Sequence, residues 1–260
     1  MIPKSYITEW SKKAPWINNY QVEQDLIIER AIVEIFSHNE LKELLAFRGG
    51  TALHKLFLKP QARYSEDIDL VQVEAENIGT ILTALRKQLS FLGQAKFESS
   101  EHNNTLSYRF DSEYEGIGLK LKIEINTREH FSVEGYDNIN HDLTSEYFSG
   151  TCLIKTYSIE ELLGTKLRAL YQRNKGRDLF DLWYAYTNLN LDTSKIIRCF
   201  HRYLKNDDLT ISSREFVLNM EQKIKDKDFH GDVLGLLRAG IDYDTNKAWD
   251  IIKEVIIDKL

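Results

Sequence analysis

Residues 47–70 read FRGGTALHKLFLKPQARYSEDIDL, and two features of this stretch set the reading of the whole chain. Gly49 and Gly50 follow a short apolar run, LLAF (44–47), which predicts a buried strand, and precede TALHKLFL (51–58), whose apolar spacing predicts a helix. Seventeen residues after Gly50 come Asp67 and Asp69, at the head of IDLVQV (68–73), a predicted strand. Alternate side chains of a strand share a face, so Asp67 and Asp69 point together while Ile68 points into the core. Two carboxylates placed this way repel each other unless a cation sits between them. Mg²⁺ is the fitting cation, because it takes oxygen ligands and usually shares its shell with substrate phosphates. The glycine turn lets main-chain N–H groups come close to a phosphate, and the start of the next helix favours an anion. Thr51 is placed either to cap that helix or to touch the phosphate itself. Alone, a D-x-D pair is usually a solvated turn, and a glycine pair a plain strand-to-helix turn. In this order and spacing they set a phosphate holder beside a holder for the metal that travels with phosphate.

Working outward, QVEQDLIIERAIVEIFS (21–37) and NIGTILTALRKQLSFL (77–92) predict helices. AKFESS (95–100), TLSYRFDS (105–112) and GLKLKIEINTR (118–128) predict strands. In the last of these, Leu119, Leu121, Ile123 and Ile125 share the core face, while Lys120, Lys122, Glu124 and Asn126 share the other. Glu124 is the one acid on that polar face and is the candidate third carboxylate of a metal site; the plainer alternative pairs it with the neighbouring lysines. From Tyr157 onward nearly every apolar pattern is helical. The expected architecture is therefore α+β in two lobes. The first, 1–150, carries a mixed sheet with flanking helices, and the second, 151–260, is helical.

The helical part holds a lysine where an apolar residue belongs. Ser158 and Glu161 have the spacing of a capping box, and the helix they open has the stripe Ile159, Leu162, Leu163, Leu167 and Leu170. Lys166 falls inside that stripe, so it either snorkels to water or meets an anion, and a triphosphate is the sharper choice. Twelve residues on, Gly176-Arg177-Asp178 opens another helix, with Asp181 one turn later. Asp178 there either caps the helix, or positions Lys166 or touches the nucleotide or its acceptor.

Composition bounds the alternatives. The chain has 260 residues, 42% apolar and 28% charged, with 3 Pro, 2 Cys and a formal net charge of -6. This is an ordinary globular composition with no overall pull on nucleic acid. The apolar runs are too short to span a bilayer, no signal peptide is evident, and the two isolated cysteines fit a reducing cytoplasm. Residues 151–177 are locally basic, with Lys155, Lys166, Arg168, Arg173, Lys175 and Arg177 against Glu160 and Glu161. Such a patch can hold phosphates on an acidic protein, although a solvated helix face reads the same way.

Four ordered blocks carry a resemblance over about residues 20–187. They are Gly49-Gly50-Thr51-Ala52-Leu53, then Arg63 and Ser65 ahead of Asp67-Ile68-Asp69-Leu70, then Lys166 within EELLGTKLRAL, then Arg177-Asp178-Leu-Phe-Asp181. Together they resemble the AbiEii/MenT nucleotidyltransferase toxins of the polymerase-beta-type nucleotidyltransferase superfamily. The resemblance implies a bilobed enzyme that uses Mg²⁺ to transfer a nucleotide from an NTP to RNA, for some members the 3′ end of tRNA, so that translation stops. It implies a toxin of a bacterial toxin–antitoxin pair, often tied to phage defence and abortive infection. The partner is an antitoxin with a DNA-binding domain. It makes Asp67 and Asp69 metal ligands, Gly49, Gly50 and Ser65 the nucleotide phosphate lining, and Lys166 the triphosphate ligand, with Asp178 serving the fourth block. The usual Gly-Ser of the superfamily is Gly-Gly-Thr here, with Thr51 placed to supply the hydroxyl. Two rival readings keep other endpoints: transfer to a protein or small molecule, and NTP or partner binding without turnover.

Overall fold

Strand β1 (Leu45–Arg48) is fully buried along its apolar part and stops where Gly49 turns the chain. The computed structural model describes residues 2–114 and 116–260. Before β1 come helices α1 (Lys4–Trp10), α2 (Asn19–Ser37) and α3 (Leu41–Leu44); after it come the single turn α4 (Gly49–Ala52) and β2 (Asp67–Gln72). Helix α5 (Ile78–Gln88) leads to β3 (Lys96–Ser99), β4 (Asn103–Asp111), β5 (Gly118–Asn126), β6 (Tyr136–Thr144) and β7 (Ser149–Tyr157).

The seven strands form one mixed sheet in the order β3-β4-β5-β2-β1-β7-β6. Strand β2 runs antiparallel to β1 and parallel to β5, and β1 runs parallel to β7. The turn-bearing strand and the Asp67-bearing strand are therefore central neighbours. The alternation expected of β5 holds: Leu119, Leu121, Ile123 and Ile125 are buried, and Lys122, Glu124 and Asn126 are only half-buried. Helix α2 packs against β2, β5, β6 and β7, which is why it buries side chains nearly all round.

The segment after the glycine turn departs from the expected regular helix. One α turn passes into a π turn, Leu53–Phe57. The widening accommodates Lys55, whose buried Nζ donates to Asp25 Oδ1 at 2.9 Å, Glu29 Oε1 at 2.8 Å and Gln61 Oε1 at 3.1 Å. Burial pushes the Glu29 carboxyl up, but the Lys55 and His141 charges and hydrogen bonds outweigh it and bring the group down to about 2. A charged network thus fastens the post-glycine segment to α2.

The chain divides into a first unit ending at Tyr157 and a second, Ser158–Leu260. A cut at 150 would run through β7, a strand whose residue pattern is too irregular to stand out in the sequence. The second unit is helical: α6 (Ile159–Gln172), α7 (Gly176–Asn188), α8 (Thr193–Asn206), α9 (Ser213–Lys223), α10 (Lys227–Leu234) and α11 (Thr245–Val255). Helix α6 packs on α7 and α8. Gly164 permits the approach to α8, since a Cβ there would lie 2.7 Å from Cys199 Cβ. Ser158 caps α6 by accepting from the Glu161 N–H at 3.2 Å, while the Glu161 carboxylate accepts from the buried Tyr203 hydroxyl at 2.8 Å.

Candidate active site

The glycine turn and the acid pair meet directly. Gly49 has φ +79°, and a Cβ at this position would collide with Asp69 Oδ2. Only glycine accepts both the left-handed backbone and this contact. Thr51 ties the same two segments from below: its buried hydroxyl donates to the Asp67 main-chain carbonyl and lies 2.7 Å from Ser65 Oγ. The cap at Arg48 makes no side-chain bond to α4, so Thr51 serves as a tie between turn and strand rather than as a helix cap.

Expected result for the turn: Gly49→Ala costs about 1–3 kcal/mol through backbone strain and, in addition, moves the Asp69 carboxylate. Gly93 is the control, since it has φ +83° and a methyl group there would meet nothing within 4 Å. Urea melts should show both alanine variants weakened, whereas only Gly49→Ala loses activity beyond its loss of stability.

Asp67 and Asp69 share one face of β2, as their spacing requires. Register places Lys122 beside Asp67 and Glu124 beside Asp69 on the parallel β5, and Arg48 beside Asp69 on the antiparallel β1. Arg48 pairs with the buried Glu129, and Lys122 pairs with Glu124. Burial pulls the Lys122 ammonium down, but the Glu124 hydrogen bond and charge, with Asp67 and Asp69 behind them, leave it above the usual lysine range. The strand pattern marked Lys122 only as a polar-face residue. Its place opposite Asp67 follows from a pairing between distant segments.

The second unit holds the other block. Lys166 is buried and meets anions rather than snorkelling: its Nζ lies 3.0 Å from Asp178 Oδ1 and 3.0 Å from Asp181 Oδ2. Arg173 adds a fork to Asp178, Nε to Oδ2 at 2.6 Å and Nη2 to Oδ1 at 2.8 Å. Burial pushes the Asp178 carboxyl up, but Lys166 and Arg173 outweigh it and hold it below the usual carboxylate value. Asp178 therefore organises cations and does not cap α7. Gly176 sets where α7 begins, because a Cβ there would collide with the Phe229 carbonyl oxygen. Lys223 closes the cluster by donating to the Leu170 and Tyr171 carbonyls, and burial lowers its ammonium to about 8.

The donor set on β2 and β5 suits a hard divalent cation: carboxylate oxygens on one open sheet face, next to a turn where main chain comes close. Among the described residues no three His, Cys, Asp or Glu side chains gather as a ready-made metal cage.

A glycine turn set against an aspartate pair on a mixed sheet is the arrangement that the sequence resemblance to nucleotidyltransferases leads one to expect. The sequence profile described as nucleotidyl transferase AbiEii toxin, type IV toxin–antitoxin system, matches residues 30–254, and the chain belongs to that family. Among solved structures it is similar to MenT4, a nucleotidyltransferase toxin from Mycobacterium tuberculosis H37Rv, with TM-score 0.64 and 14% identity over 98% of this chain and 90% of that one. It is also similar to JHP933 from Helicobacter pylori, with TM-score 0.55 and 18% identity over 94% of each chain. At these identities the likeness concerns the fold. No curated protein sequence matches. Among the described residues no helix is long and apolar enough to cross a membrane.

Proposed function

We propose that this toxin transfers a nucleotide from an NTP to an RNA acceptor, with the 3′ end of tRNA as first choice, and that the modified acceptor no longer supports translation. The observation that carries this reading is the Asp69 carboxylate lying against the Gly49 turn with Asp67 on the same face. Phosphate and metal then share one site. Asp67 and Asp69, with Glu124 as third carboxylate, would hold Mg²⁺, which when bound supplies Lewis-acid activation of the attacking hydroxyl and charge for the leaving group. Gly49, Gly50 and Ser65 line the nucleotide phosphates, with Thr51 holding Ser65 in place.

A terminal ribose hydroxyl attacks the α-phosphorus in line. The new O–Pα bond forms as the bond from Pα to the bridging oxygen of the β-phosphate breaks. The hydroxyl proton passes to water and pyrophosphate leaves with the electron pair. Lys166, held by Asp178 and Asp181, is the buried cation of the second unit. Arg173 and Lys175, each about half exposed, and Arg177 present cations to an RNA backbone. The partner that restrains the toxin is an antitoxin with a DNA-binding domain, and the setting is the cytoplasm.

The test incubates the purified full chain and Mg²⁺ with each α-labelled NTP, total RNA and total protein. Label in the RNA fraction, at tRNA size, is the expected result. Label confined to protein or a small molecule, or none with any NTP, overturns the RNA reading.

A further inference from the structure

Helix α2, the segment after α5 and the end of β4 surround a cavity of about 200 Å³ in the first unit. Among the described residues, none of the glycine turn or of β2 lines it. Liquid water would put about seven molecules in that volume, so the cavity suits a small ligand and not a nucleotide. Its walls are largely apolar, with Ile27, Phe91, Phe110 and Tyr147 among them, and two carboxylates interrupt them, Glu23 and Asp111. The two differ in depth: Glu23 is 1% exposed, whereas Asp111 is open to solvent.

The Glu23 carboxylate accepts the Ser112 hydroxyl at 2.6 Å and the Glu113 main-chain N–H at 3.1 and 3.2 Å. These bonds fasten the turn after β4 but bring no charge, and among the described residues no Lys, Arg or His pairs with Glu23. Neighbouring cations are engaged elsewhere. Lys4 sits over the Tyr114 ring at 5.4 Å. Arg30, two turns along α2, stacks 3.8 Å from the centre of the Phe91 ring and donates to the Tyr147 hydroxyl at 3.0 Å, which braces two walls of the cavity. A carboxylate this buried is costly without a cation. The cavity gives a cation access to it, and the aromatic side chains there favour the same charge.

We propose that this cavity binds a short aliphatic diamine in its doubly protonated form. One ammonium meets Glu23 at the inner end, the hydrocarbon stem lies among Ile27, Phe91, Phe110 and Tyr147, and the second ammonium meets Asp111 at the mouth. The order acid, apolar wall, acid disfavours a metal ion, which has no stem, and a monoamine, which leaves Asp111 unmatched. Alkyl amines, like the lysine side chain, are charged at neutral pH. The site is separate from the nucleotidyl-transfer reading and stands or falls without it.

Diaminobutane is the probe, titrated by calorimetry into the purified full chain at neutral pH, with butylamine and butanediol as comparators. The expected result is saturable binding at one site, roughly threefold or more weaker for butylamine and absent for butanediol. Glu23→Gln keeps an acceptor for Ser112 and Glu113 and should weaken the diamine at least about tenfold. Asp111→Asn, at the exposed end, should weaken it about threefold. Equal affinity in parent and Glu23→Gln places the binding elsewhere, on the β2 acids for instance, and overturns the inference. Absence of saturable binding to the parent up to about 10 mM overturns it as well. If Glu23→Gln fails to fold, unchanged affinity in Asp111→Asn overturns it instead.

Discussion

Asp67→Asn should abolish nucleotide transfer, by at least about 10³-fold, in a protein that folds and melts like the parent. The substitution keeps the shape of the side chain and removes its charge. The structural tie at this position survives, because Thr51 bonds the main-chain carbonyl of Asp67 and not its carboxylate. Removing one of two facing acids relieves their repulsion but also gives up attraction to Lys122, so the melting temperature is expected to stay near the parent's. Pyrophosphate release and label transfer, read beside a thermal melt, separate the outcomes. Full transfer by the purified Asp67→Asn protein would defeat the proposed chemistry at its centre.

Lys166→Met should damage stability as well as activity. In the parent, Lys166 lies between two fully buried carboxylates, Asp178 and Asp181. Methionine fills similar space but leaves those charges without their shared cation, at a cost of about 3 kcal/mol or more. Arg173 still holds Asp178, but it is half exposed and screened, so it restores little. The sign of the pH dependence follows. In the parent, the depressed Asp178 contributes stability above its unfolded value and loses it as pH falls. In Lys166→Met the buried acids become easier to protonate, so the penalty is largest near neutrality and shrinks as pH falls toward about 4. Adding Asp181→Asn to Lys166→Met should recover a large part of the loss, whereas each change alone is harmful. Chemical denaturation at several pH values checks this. A penalty that does not change with pH would show that Lys166 acts through packing and not through charge.

The parts of the site that follow a local rule were readable in the residues. A glycine pair before a helix pattern, two acids at strand spacing, alternation along 118–126 and a lysine inside an apolar stripe all reflect short-range geometry. The parts set by distant pairing were not. Nothing near Lys55 announces that it is buried; Asp25 and Glu29, on another helix, decide that. The π turn has no local mark for the same reason. Strands β6 and β7 escaped because β6 is a sheet edge with polar residues on both sides, so its sequence lacks a period to read. Lys122 stood in plain view on the polar face of β5, but its role depends on which strand lies alongside.

The position of β7 bears on how the protein comes into being. Strand β1 has four residues, and beyond β2 its flank is closed only by β7, where Thr156 donates its hydroxyl to the Phe47 carbonyl at 2.7 Å. As the polypeptide leaves the ribosome, Gly49, Asp67 and Asp69 emerge early, yet the sheet around them stays open until Tyr157 has been made. A chain cut short at residue 150 would retain Asp67, Asp69 and Glu124 and still lack most of the strand that closes the flank of β1. Premature termination or proteolysis at that point would leave those acids in an unfinished sheet, with Lys155 the one charged group of the first unit removed.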